Sequence, residues 1–297
     1  MKRTTTRGVS FALAATLLTL VAHAQTADKA LTAFKAGQWK QVFAAVAAVP
    51  SDAADRPRAL FVAGEAHLLV GDAAEAEQCF RDVLAARPNA IPAKVGLGRA
   101  LTAQDKLDDA EKLLTELVKA EPKELAAKQA LGELHVRAKK LDAARSELAE
   151  VLAADPKNAL ASRSYCDALW AANDDESAAK VGVQLAKSLP KHPMGAFLQA
   201  VTQERLGKDE KAIELYEKAL ELDPTFLDAH KNLAILCHTR NPMYQDAKRT
   251  DMALAHYAKY FELGGNDPEL KQSYTQFKGF MDEYFGKGKG KDKKEPK

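Results

Sequence analysis

Aromatic residues are scarce, at 7% of 297 residues with only two Trp. Few rings are left for a surface that reads glycans or polymers by stacking. Cysteine is scarcer, at three residues, too few to staple a chain of this length. Long apolar runs are missing beyond Val9 to Ala22, so nothing further on approaches the roughly 20 residues of a spanning helix. Neither sign of charge dominates, with 43 basic and 41 acidic residues. What remains is ordinary soluble material, 46% hydrophobic and 28% charged. Its abundance of Ala, Leu, Glu and Lys favours helix.

Chemistry is equally sparse. Gly96-Leu97-Gly98 has no strand before it and no third Gly after it, as a dinucleotide loop requires. Both glycines fall inside an expected helix. No nucleophile can be placed beside a base and an orienting acid from spacing alone, so no enzyme is expected and no catalytic residue is assigned. His230, Cys237, His238 and His256 could be imagined as metal ligands, but His230 and Cys237 also occupy packing positions. No metal and no cofactor is expected.

The first 24 residues have the form of an export signal. Lys2, Arg3 and Arg7 precede the apolar run, and Ala22-His23-Ala24 offers an A-x-A cleavage site that would make Gln25 the new start. No Cys follows the site, which disfavours a lipoprotein, and fourteen apolar residues are few for a membrane anchor. Cleavage would leave 40 basic and 41 acidic residues. The tail 286–297 carries six Lys against one Asp and one Glu, so the body 25–285 is left at −5. A mildly acidic body gives no nucleic-acid footprint. The expected location is periplasmic or secreted, with no membrane span after cleavage.

A period of 34 residues governs the rest of the chain. Pro88, Pro122, Pro156, Pro190 and Pro224 repeat at that interval, as do Ala76, Ala110, Ala144, Ala178 and Ala212. Gly64, Gly98, Gly132, Cys166, Ala200 and Ala234 form a third series, all small. Between the punctuation marks the apolar residues keep helical spacing: Ala212, Leu215, Tyr216, Ala219 and Leu222 line one face of 208–222. Each unit reads as helix A, a turn, helix B and a Pro stop. Such a unit cannot bury its own apolar face, but a stack can.

Two-helix units of 34 residues resemble the tetratricopeptide family. The resemblance implies an all-α solenoid, a right-handed superhelix of helix–turn–helix units with a C-terminal capping helix. Residues 25–56 read as a degenerate first repeat and 57–226 as five repeats beginning at Pro57, Ile91, Leu125, Ala159 and Pro193. A seventh repeat, 227–265, has its Ala253, Tyr257 and Tyr260 seven residues late, which places an insertion at 238–248 between its helices. Pro242 would break helix A there. Leu270, Tyr274, Phe277 and Met281 mark the capping helix, 266–285, and 286–297 reads as a disordered lysine-rich tail. Gly182 stands where helix B usually has a large residue, so a gap or bend is expected. Cys166 and Cys237 sit at packing positions two repeats apart and Cys79 lies further off, so all three read as unpaired.

Tetratricopeptide arrays typically hold a protein or peptide in the concave groove lined by the A helices. The positions here that match groove-facing places include Arg99, Gln129, Glu133, Arg137, Arg163, Asp167, Trp170, Phe197, Glu204, Lys231 and Asn232, besides Phe61, Glu65, Val201 and His238. Arg163, Asp167 and Trp170 share one ridge at i, i+4, i+7 and are expected to form its centre, with Arg137 and Phe197 beside them. A carboxylate clamp of Lys and Asn in successive units is not reproduced, since Lys231 and Asn232 stand side by side. The resemblance implies a non-catalytic scaffold or adaptor of the cell envelope. A cell-wall or polymer-associated factor, or an accessory subunit of an envelope enzyme complex, is the alternative.

Overall fold

The computed structural model describes residues 27–241 and 244–284, with only the backbone of Tyr284; the expected signal and the lysine-rich tail lie outside these residues, as does Pro242. Every regular element among the described residues is a helix, and none is a strand. In chain order the helices are α1 (27–35), α2 (Trp39–Ala47), α3 (Arg56–Val70), α4 (Ala73–Ala86), α5 (Ile91–Ala103), α6 (Leu107–Ala120), α7 (Leu125–Arg137) and α8 (Leu141–Ala154). They continue as α9 (Ala159–Ala171), α10 (Asp175–Ser188), α11 (Met194–Arg205), α12 (Asp209–Leu222), α13 (Leu227–Thr239), α14 (Ala247–Glu262) and α15 (Pro268–Tyr284). The chain folds as two compact units, divided after Val151.

The turn and the stop are set locally. Gly71, Asp105, Lys139, Asn173 and Gly207, again 34 apart, all take positive φ between 58° and 90°. In each case the next residue donates its N–H back to the last turn of helix A, as Lys140 N does to His135 O at 2.9 Å. This is the left-handed helix ending that glycine adopts most easily. At the other end of each pair, Arg87, Glu121, Leu189 and Asp223 are non-helical because each precedes proline.

Small residues at the eighth position answer large ones in helix B of the same repeat. A Cβ on Gly98 would lie 2.5 Å from the Leu114 side chain, and one on Gly132 would lie 2.6 Å from Leu148. Phe80 fills the equivalent space beneath Gly64 and also reaches Gly96 of the next repeat. These side chains are fully buried. In the first unit one cluster joins α1, α2 and α3 through Ala30, Val42, Val46 and Val62. A second runs from α4 to α7 through Phe80, Leu114 and Leu131.

In the second unit the exchange is reversed at one repeat. Cys166 takes the small position and Gly182 the large one. The expected gap is absent: a Cβ on Gly182 would sit 3.0 Å from Gln199 Cγ and 3.1 Å from Gln199 N, and one on Gly195 only 2.6 Å from Ala186 N. Two glycines on facing helices let α10 and α11 approach backbone to backbone, so the missing volume is taken up by closer packing. The core continues through Leu198, Tyr216, Leu233 and Tyr257 to Leu270 and Phe277 of α15. Between α13 and α14, Asn241 is buried and ties the inserted segment together. Its Nδ2 donates to Asp246 O and Thr250 Oγ1, both at 2.9 Å, and its Oδ1 accepts from Asp246 N at 3.0 Å.

Candidate binding faces of the A helices

The A helices bring most of the expected groove residues to partly exposed faces, one set in each unit. In the first unit Glu65 and Arg99 stand one period apart and therefore side by side, with Arg99 Nη1 3.1 Å from Glu65 Oε2. Gln129 donates to Glu133 Oε1 at 2.8 Å within α7. Arg137 Nε reaches Asp105 in the preceding turn at 2.6 Å, and both of these side chains are substantially exposed. The face is thus polar, mixed in sign and solvated.

In the second unit the corresponding face is mostly satisfied by its own side chains. Arg163 contacts Asp167 at 3.3 Å and Asp228 at 2.9 Å, so α9 is bridged to α13. The guanidinium passes over the Phe197 ring of α11, 5.0 Å from its centroid. Burial raises the Asp167 carboxyl above the usual range, and Arg163 only partly opposes this. Tyr216 donates to Glu204 Oε2 at 2.6 Å and accepts from Asn232 Nδ2 at 3.3 Å. Burial also raises Glu204. Lys231 Nζ lies 2.6 Å from Asp267 Oδ2 at the start of α15.

Two expected anchors belong to the core instead. Phe197 is fully buried against Tyr216 and Phe226. Trp170 is 8% exposed; its indole N–H donates to Thr202 Oγ1 at 3.2 Å and its carbonyl accepts from Arg205 at 2.9 Å. Helix spacing placed Trp170 on a ridge apart from Cys166 and Leu169, but a ring of that size leans across α11 and is covered. Asp228, Asp267 and Tyr216 were not anticipated as partners. The spacing of 65 residues between Arg163 and Asp228 is close to two periods, yet only side-chain reach shows that they meet.

The candidate metal ligands do not converge. His230 pairs with His256, while His238 faces the Tyr257 hydroxyl at 3.0 Å and stacks on Phe277. Among the described residues no group of three or more His, Cys, Asp or Glu could hold a metal ion. No described helix is long and apolar enough to cross a membrane. The described cysteines are free, and burial pushes the Cys79 and Cys237 thiols up to about 11.

Three family models match the chain: a tetratricopeptide repeat model over residues 67–134, a second over 130–193 and a TPR repeat model over 205–239. The chain belongs to the tetratricopeptide-repeat family. Solved structures show the same fold, among them two named as tetratricopeptide proteins. One from Parabacteroides merdae superposes with a TM-score of 0.62 at 14% identity, over 86% of this chain and 98% of that one. TTC0263, a thermophilic TPR protein of Thermus thermophilus, gives 0.53 at 23% identity over 63% and 98%. PilW, a type IV pilus biogenesis factor, gives 0.56 at 15% identity over 69% and 94%. At such identities the likeness is one of fold. Among curated proteins none matches.

Proposed function

We propose that this tetratricopeptide protein is a non-catalytic scaffold of the cell envelope that holds a partner peptide or helix against its A-helix faces. Stacked helix pairs present continuous rows of side chains, suited to an extended or helical ligand. The observation that carries the reading is the row Glu65, Arg99 and Glu133 on the first unit, which stands partly exposed one repeat after another. Such a row offers charge-assisted bonds to a ligand of mixed charge. The export signal read in residues 1–24 supports a periplasmic or secreted location.

The test is capture from envelope extract. Arg99→Glu is expected to weaken retention of the partner at least tenfold while leaving the helical circular-dichroism signal unchanged. Lys218→Ala, on an exposed part of α12, is the control and should have no effect. Equal capture by the parent protein and by Arg99→Glu would sink the reading for this face. Mass spectrometry of the same envelope preparation should find a chain beginning at or near Gln25, and an intact Met1 would refute export with cleavage.

A further inference from the structure

The last repeat contains three of the seven histidines, and their surroundings differ in kind from those of His135 in the first unit. His230 is buried in α13, and its Nε2 lies 3.0 Å from Pro224 O. A carbonyl only accepts, so Nε2 carries the hydrogen and Nδ1 of neutral His230 is left as an acceptor. Nδ1 of His256, on α14, lies 2.8 Å away and therefore donates. One hydrogen fills the gap between the two helices.

A further proton has no counterion to meet. Among the described residues no carboxylate pairs with either ring. The groups that face the pair are the Pro224 carbonyl just past α12 and the partner imidazole. A second proton on the pair would set two N–H donors against each other across 2.8 Å. His238, also on α13, is in the same position. It faces the Tyr257 hydroxyl from α14, the Phe277 ring from α15 and the Tyr244 ring from the inserted segment. None of these can balance an imidazolium charge with a negative one at neutral pH.

His135 of the first unit is the opposite case. Its Nδ1 lies 2.8 Å from Glu147 on α8 and its Nε2 3.5 Å from Glu111 on α6, with Lys140 on Glu111 at 2.6 Å. Here a proton is welcomed by two carboxylates.

We propose that the α13–α14 pair is a proton-sensitive joint, which acidification opens while the repeats around His135 stay closed. The proposal does not depend on where the protein resides or on what it binds. Burial, and after it His230, lower His256 from 6.5 to about 4, and burial alone lowers His238. A base held below its unfolded value stabilises the closed form above about pH 6.5, and that contribution is lost as pH falls toward 4. For His256 alone, moving from pH 6.5 to 5.0 favours opening about fifteen-fold. Asp167 and Glu204 are raised and act in the opposite sense, but they stand on α9 and α11. The readout is therefore taken on α14.

Two measurements on the mature chain decide the matter. Imidazole NMR titration should show His256 changing charge well below His135. Hydrogen exchange, corrected for intrinsic rate, should show protection of α14 peptides falling about fifteen-fold between pH 6.5 and 5.0, with no fall in α6–α8. His256→Gln keeps a donor toward His230 without titrating, and it should reduce the acid-induced loss. Titration of His256 at or above 6.5, or equal changes in both sets of peptides, would overturn the proposal. If the variant does not fold, the titration of the unaltered protein still decides.

Discussion

Trp170 shows how far a single side chain can depart from its helical spacing. Its ridge suggested a binding anchor, but the ring lies in the core with its N–H on Thr202. Trp170→Ala should therefore lower stability by about 3–5 kcal/mol, the range for removing a large buried ring. A loss of partner capture in that variant would report unfolding. A chemical-denaturation midpoint close to that of the parent protein would show that the ring is not buried. Lys139 is a second instructive residue, since its φ of 58° lies where L side chains are strained. Gly71 and Gly207 fill the equivalent turns. Lys139→Gly should stabilise by about 0.5–1 kcal/mol, the left-handed strain relieved minus the added unfolded-state entropy. Urea titration at fixed m-value checks this, and a lowered midpoint would refute it.

Helices in this chain are joined by pairs whose charge state decides their worth. His135 links α7 to α8 through Glu147 and to α6 through Glu111, and the Glu147 bond is the chief cause of its raised pKa. A raised base stabilises the fold fully below its unfolded value near 6.5, and that contribution disappears as pH rises through the higher folded value. His135→Gln should then cost about 1.5 kcal/mol at pH 5.5 and distinctly less at pH 9. Paired melting curves at the two pH values test the sign, and a larger loss at pH 9 would contradict it. Glu77 follows the other rule. Lys106 is the main cause that holds it at about 2, with Arg81 and Gln104 assisting, so its contribution persists above about pH 4.5 and fades only as pH falls toward 2.

For the molecule as a whole, the consequence of repeat architecture is limited cooperativity, because each helix pair rests mainly on its neighbours. The two units have separate buried clusters, and each holds one Trp, Trp39 in α2 and Trp170 in α9. Trp39→Phe and Trp170→Phe variants thus give one fluorescence probe per unit. Their urea transitions are expected to differ in midpoint, which departs from two-state behaviour. Superimposable transitions with identical midpoints would show a single cooperative fold.

Much of this protein was determined by its sequence alone. The 34-residue frame set the helix pairs, the turns and the proline stops, because capping, left-handed turns and apolar spacing act over a few residues. The same frame placed Glu65 beside Arg99, one period apart. It could not place Arg163 on Asp228, bury Phe197 and Trp170, or bring His230 against His256. Those contacts depend on how far side chains reach across neighbouring helices and how closely the helices approach. Gly182 illustrates the limit. Read alone it implied a gap or a bend, but with Gly195 facing α10 from α11 the gap is replaced by a close contact. Period and composition specify which face of a helix is apolar; only packed neighbours decide whether a residue on the polar face is left for a partner or used within the chain.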